Sequence, residues 1–202
     1  MHISEGVLTA PVLASGAALS VVGLAIGLKK LDYERLPQTA ILAAGFFVAS
    51  LVHVPIGPAK AHLVLNGLLG LLLGWSAFPA IFVGLVLQAV LFQYGGLTSL
   101  GVNTFSMAFP GLVAWWLFGR LISRGGAVSA AASFGAGFLS VLFSALIVAA
   151  ALALSGEQFI TAAELIVVAH LPIMVVEGLL TAAIVSFLSR VRPALLANGK
   201  AG

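Results

Sequence analysis

The sequence predicts an all-α integral membrane protein, a bundle of about seven transmembrane helices with the N-terminus outside and the C-terminus cytoplasmic. Three observations predict it. Of 202 residues, 61% are apolar and 7% are charged, against roughly 25% charged in soluble domains. Apolar runs near the ~20 residues needed to cross a bilayer alternate with short polar breaks. The basic residues also segregate to one side of such a topology.

Taken in order, the spans fall at about 7–28, 37–54, 59–75, 77–94, 105–122, 127–154 and 161–189, in a single membrane domain covering 1–202. The segment Lys29–Arg35 ends the first span, and Pro55-Ile56-Gly57-Pro58 ends the second. Trp75-Ser76-Ala77 is a tight joint, and Gly95–Thr104, Ser123–Gly126 and Ser155–Gln158 supply the later breaks. The third run has only 17 residues, which suits a re-entrant or tilted segment. With the N-terminus outside, Lys29, Lys30, Arg35, Arg120, Arg124, Arg190, Arg192 and Lys200 are all cytoplasmic, and Lys60 alone lies outside. An even number of spans would put one basic cluster on the wrong side.

The composition also excludes functions. The net charge is +3, but the cations sit between apolar runs rather than in a patch, which argues against nucleic acid. There is no cysteine, so disulfides and thiolate chemistry are absent. No basic region precedes the first apolar run, so Met1-His2-Ile3 reads as a mature start rather than a signal peptide. His2 is too large for removal of the initiator methionine, so Met1 is expected to stay. Small residues four apart, at Gly23/Gly27, Ala40/Ala44 and Gly45/Ala49, would let helix backbones approach closely, within the subunit or against a partner.

In so apolar a chain, polar residues within or beside spans are the functional candidates. His2, His53, His62, Asn103 and His170 fall toward the outer half, and Glu177 falls near the middle of the last span. Imidazoles without thiols suit nickel, cobalt, copper or zinc. The start is more specific. The α-amine of Met1, with an ordinary pKa of about 7.7–8, and the amide nitrogen of His2 close a five-membered chelate ring. That amide and His2 Nδ1 close a six-membered one. Three nitrogens thus lie in one plane, a field favoured by Ni(II) and Cu(II). His62 is the candidate fourth ligand and His53 the alternative; Asn66 shares the His62 face. His170 precedes Pro172 and suits a bond to a carbonyl which that proline frees. Glu177 suits a structural partnership with Asn66, Gln88 or a helix hydroxyl.

Met1-His2-Ile3-Ser4-Glu5-Gly6, the segment Gly95-Gly96-Leu97-Thr98-Ser99-Leu100-Gly101-Val102-Asn103-Thr104-Phe105-Ser106-Met107, and His170-Leu171-Pro172 with Glu177-Gly178 together resemble the CbiM/NikM family. Its members are substrate-binding membrane subunits (S-components) of energy-coupling factor (ECF) transporters for cobalt or nickel. The resemblance implies that the N-terminal segment tucks in from outside and supplies three nitrogens, with His62 completing a square-planar site. It implies that Asn103 and its loop cover or orient that site, with Glu5 nearby. The implied cargo is Co²⁺ or Ni²⁺, with no permanently bound cofactor. The implied partners are a transmembrane coupling (T) subunit, a pair of cytosolic ATPases and a small accessory membrane subunit of the N type, in the cytoplasmic (inner) membrane of a bacterium or archaeon. Two alternatives are an S-component for an organic micronutrient and a membrane-embedded metal-dependent enzyme. The second lacks a His-Glu-x-x-His helix. The first would want an aromatic pocket, yet Trp75, Trp115 and Trp116 fall near inner helix ends, where interfacial anchoring explains them.

Overall fold

The computed structural model describes residues 2–51, 53–56 and 59–200, and for 53–56, 59–61 and 197–200 the backbone alone. Met1 lies outside the described residues. Seven α-helices are present among them: α1 (Ala10–Lys29), α2 (Leu36–Leu51), α3 (Asn66–Leu73), α4 (Ala77–Phe92), α5 (Leu100–Ile122), α6 (Gly126–Ala153) and α7 (Ile160–Val191). A short antiparallel ribbon of β1 (His53–Ile56) and β2 (Ala59–His62) joins α2 to α3 and pairs His53 with His62. Five segments are long and apolar enough to cross a bilayer: 10–29, 66–92, 100–122, 126–153 and 157–191. This is a multi-pass membrane protein.

The expected helical span over 59–75 is not formed. Residues 59–62 are a strand and the helix begins only at Asn66. The physical reason lies in the backbone donors. Glu177 of α7 accepts the N–H groups of both Val64 and Leu65, and Leu65 turns into the left-handed region at φ 51°. Non-helical backbone inside a membrane protein persists where protein groups satisfy it. The eight residues of α3 rise only about 12 Å, and Gly74, at φ 55°, breaks the helix before α4. All of Asn66–Leu72 is buried, so α3 is a central half-helix wrapped by the long ones. The ribbon is likewise a departure from an all-helical chain.

Close packing depends on missing side chains. A Cβ on Gly70 would stand 1.9 Å from the Gly111 carbonyl, and one on Gly137 would stand 2.5 Å from that of Glu177. Helices α3, α5, α6 and α7 therefore meet backbone to backbone. The small-residue pair Gly23/Gly27 serves α1 in the same way, against Phe78 and the Trp75 carbonyl. Ala40, Ala44 and Gly45 instead lie exposed on α2. Phe46, Leu69, Phe78, Ile81, Met107 and Ile173 anchor the central apolar core.

The helix directions place Lys29, Arg35, Arg120, Arg124, Arg190 and Arg192 at one end of the bundle. Trp75 joins them, with the Lys30 ammonium 6.0 Å from its ring centre. The chain before α1 runs over the opposite end, where Ile3 and Leu8 bury against Val102, Val148, Leu152 and Ala163.

Candidate metal centre

Residues 2–9 form a strap across the starts of α1, α5 and α7 and the ends of α4 and α6. Side chains supply much of its hydrogen bonding, because an extended segment outside a sheet has no ladder to satisfy its backbone. Asn103, in the first turn of α5, supplies a reciprocal pair. Its Oδ1 accepts from Ile3 N at 3.0 Å, and its Nδ2 donates to Ile3 O at 3.1 Å. The Ser99 hydroxyl donates to the same carbonyl at 2.7 Å. Further along, Thr98 N donates to Glu5 Oε1 at 3.1 Å, and Thr9 N donates to Ser155 Oγ at 3.2 Å.

The Gly95-Gly96 turn makes room for this strap. Both glycines have positive φ, at 78° and 148°. A Cβ on Gly95 would meet Asn103 Nδ2 at 2.8 Å, and one on Gly96 would meet Glu5 Cγ at 1.9 Å. Asn103 and Glu5 are thus fasteners of the strap.

Fastening Ile3 delivers His2 to the ribbon. The imidazoles of His2 and His62 lie with ring centres 4.8 Å apart, and His2 Nδ1 faces His62 Nε2 at 3.1 Å. The remaining ring nitrogens fix the tautomers. His2 Nε2 lies 2.5 Å from Gln88 Oε1, and His62 Nδ1 lies 2.9 Å from the Leu63 carbonyl. Both acceptors lack a proton to give, so each imidazole spends its single N–H there. With both rings neutral in those tautomers, His2 Nδ1 and His62 Nε2 turn their lone pairs toward each other, an arrangement that suits a shared cation. Tyr94 borders the pair, its ring centre 6.2 Å from that of His2.

The other candidates are placed differently. Asn66 is fully buried, and its Nδ2 donates to Met107 O at 3.0 Å and to Ser144 Oγ at 2.9 Å, which fastens α3 to α5 and α6. Glu177 holds the backbone two residues beyond His62 rather than facing an imidazole. His170 Nδ1 bonds the Ile166 carbonyl at 2.7 Å, not the Val168 carbonyl that Pro172 frees. Its Nε2 is buried with no partner among the described residues. His53 is the ribbon neighbour of His62, with its side chain outside the described residues. No group of three or more His, Cys, Asp and Glu that could hold a metal exists among the described residues. Gln88 is among the polar candidates the sequence offers, without a role assigned, whereas Ser50 and Ser99 are not. Ser50 and Ser99 carry no local signal there, and Gln88 only that of a polar residue in an apolar helix.

Comparison with known proteins identifies the family. Residues 2–195 match the family model for CbiM, described as the cobalt uptake substrate-specific transmembrane region. The chain is 39% identical to a putative metal transport protein of Haemophilus influenzae, covering 97% of each chain. It is 30% identical to a putative fused nickel transport protein of Archaeoglobus fulgidus, covering 96% of this chain and 67% of that one. A crystal structure of a truncated transition metal transporter superposes with a TM-score of 0.79 at 27% identity, over 95% of this chain and 99% of the other. These proteins are metal transporters, not enzymes. The chain belongs to the CbiM family of cobalt uptake substrate-specific transmembrane proteins.

Proposed function

We propose that the chain takes up Ni²⁺ or Co²⁺ from the outer side through four nitrogens. These are the Met1 α-amine, the His2 amide, His2 Nδ1 and His62 Nε2. It acts as the S-component of an ECF transporter, with a T subunit, an ATPase pair and an N-type accessory subunit, in the cytoplasmic membrane. The strap end faces outward, since the opposite end gathers the basic side chains that the cytoplasmic side retains.

One observation carries the reading: the approach of His2 Nδ1 and His62 Nε2 to 3.1 Å. Two nitrogens at right angles about an ion, each about 2.0–2.1 Å from it, stand about 2.8–3.0 Å apart. The histidines are thus within a few tenths of an ångström of adjacent corners of a square. His2 Nδ1 is also the nitrogen that the six-membered chelate ring requires. A planar field of this kind favours nickel over cobalt, and copper binds at least as well by intrinsic affinity. Selectivity in the cell then rests on geometry and metal availability. Equilibrium binding of Ni²⁺, Co²⁺ and a panel of vitamins to the detergent-purified full chain tests the reading. One metal ion per chain and no vitamin is the expected result. Vitamin binding without metal binding would sink it.

A further inference from the structure

Beyond the four nitrogens lies a relay of buried polar groups on α2 and α4. The Ser50 hydroxyl has one proton, and the Phe47 carbonyl, 2.6 Å away, takes it. Ser50 Oγ therefore presents lone pairs to Gln88, whose Nε2 donates to it at 2.7 Å. This sets the orientation of the Gln88 amide, and with its nitrogen committed to Ser50 its Oε1 faces His2 Nε2 at 2.5 Å. Both Ser50 and Gln88 are fully buried, so water does not compete for these groups.

We infer that Gln88 and Ser50 are positioning residues that decide which nitrogen of His2 is offered to the ion, an inference that rests on the metal-binding reading above. The strap has no helix or sheet to orient the His2 ring, so its direction comes from the fold beneath it. The Gln88 carbonyl holds the proton on Nε2 and leaves the lone pair on Nδ1, the only ring nitrogen that closes the six-membered chelate. A flipped amide would do the reverse. It would aim N–H at Nε2, force the proton onto Nδ1, and set Gln88 Oε1 against a Ser50 oxygen whose proton is already given. Hydrogen bonds of this outer kind orient metal-ligating imidazoles and raise their basicity, and losing one typically weakens binding about 10–100-fold. His62 does not share this dependence, since its Nδ1 is held by the adjacent Leu63 carbonyl.

The test measures Ni²⁺ affinity of the full chain in detergent by competition with a chelator. Gln88→Leu should bind about 10–100-fold more weakly, whereas Gln88→Glu, which still accepts from Nε2, should stay within a few-fold of the unaltered chain. On the Cu²⁺-loaded protein, the quadrupole coupling of the remote imidazole nitrogen in pulsed EPR reports the hydrogen bond at Nε2. It should change in Gln88→Glu while the copper stays bound. Should Gln88→Leu not fold, Ser50→Ala carries the test, since it frees the amide to flip and should weaken binding in the same direction. Equal weakening by Leu and Glu, or an unchanged remote-nitrogen signal, would overturn the inference. His2→Ala separates the two readings. If His2→Ala loses nickel while Gln88→Leu keeps full affinity, only the role of Gln88 falls. If His2→Ala itself binds nickel normally, the metal site falls and this role with it.

Discussion

The buried polar cluster around Asn66 and the one around His2 are made of similar side chains, yet they balance their protons differently. Around Asn66 the donors meet acceptors: its amide nitrogen reaches Met107 O and Ser144 Oγ, and its oxygen takes Gly67 N at 3.0 Å. Glu177 closes the neighbouring loop by accepting two backbone N–H groups. Around His2 the outer contacts are equally well matched, but they push two lone pairs toward each other. A closed network in a low-dielectric interior rigidifies the fold. An open one, held in place by closed ones, is where a cation fits. The proposed binding capacity lies in that mismatch, and stability in the matches.

The comparison can be broken most severely at the chain start. An alanine inserted between Met1 and His2, or an acylated N-terminus, should abolish tight nickel binding and leave the melting temperature of the metal-free protein unchanged. Retained affinity would remove the terminal amine from the site. His62→Ala should come next. It takes away a proposed ligand, so the loss should exceed the roughly 10–100-fold typical of an outer partner. Normal affinity would move the fourth nitrogen to His53 or elsewhere.

Asn103→Ala should be intermediate. It leaves Ile3 N without its side-chain acceptor and removes one of two donors to Ile3 O. An unpaired buried backbone group costs about 1–3 kcal/mol, which corresponds to roughly a ten- to hundredfold loss of affinity if strap docking and metal binding are coupled. Calorimetry with nickel would show it. Asn66→Ala should have the smallest effect on binding. A few-fold change in affinity is expected, alongside about 1–3 kcal/mol of lost stability seen in thermal melts. A large binding defect there would mean that the two clusters are not separable.

Much of the bundle was legible in the sequence because hydropathy and Gly/Pro/charge punctuation mark long helices directly. The starts and ends of α1, α5, α6 and α7 lie within a few residues of the expected runs, apart from α5, which begins five residues early at Leu100. The 59–75 run misled because it is mostly apolar, with Lys60, His62 and Asn66 as its only strongly polar side chains. Its break depends on Glu177, more than a hundred residues away, and on a left-handed Leu65 that composition does not reveal. The juxtaposition of His2 and His62 could be sought from the sequence, since few nitrogen side chains exist in this chain. Gln88 and Ser50 were a different matter. Their pairing links α4 to α2 and then to the strap, and a single Ser or Gln in an apolar helix carries no sign of its partner. Gly95 and Gly96 stood out as a motif, but the reason for them, the clearance for Asn103 and Glu5, exists only in three dimensions.

The fastening of Ile3 by a side chain one hundred positions later has a consequence for biosynthesis. At about 5–20 residues per second, the ribosome needs roughly 5–20 s after adding Ile3 before its anchor exists. The strap is therefore among the last segments to be locked down. A partly inserted nascent chain that has not yet reached α5 lacks the side chain that holds Ile3, so the strap can dock only once the first turn of α5 is in place.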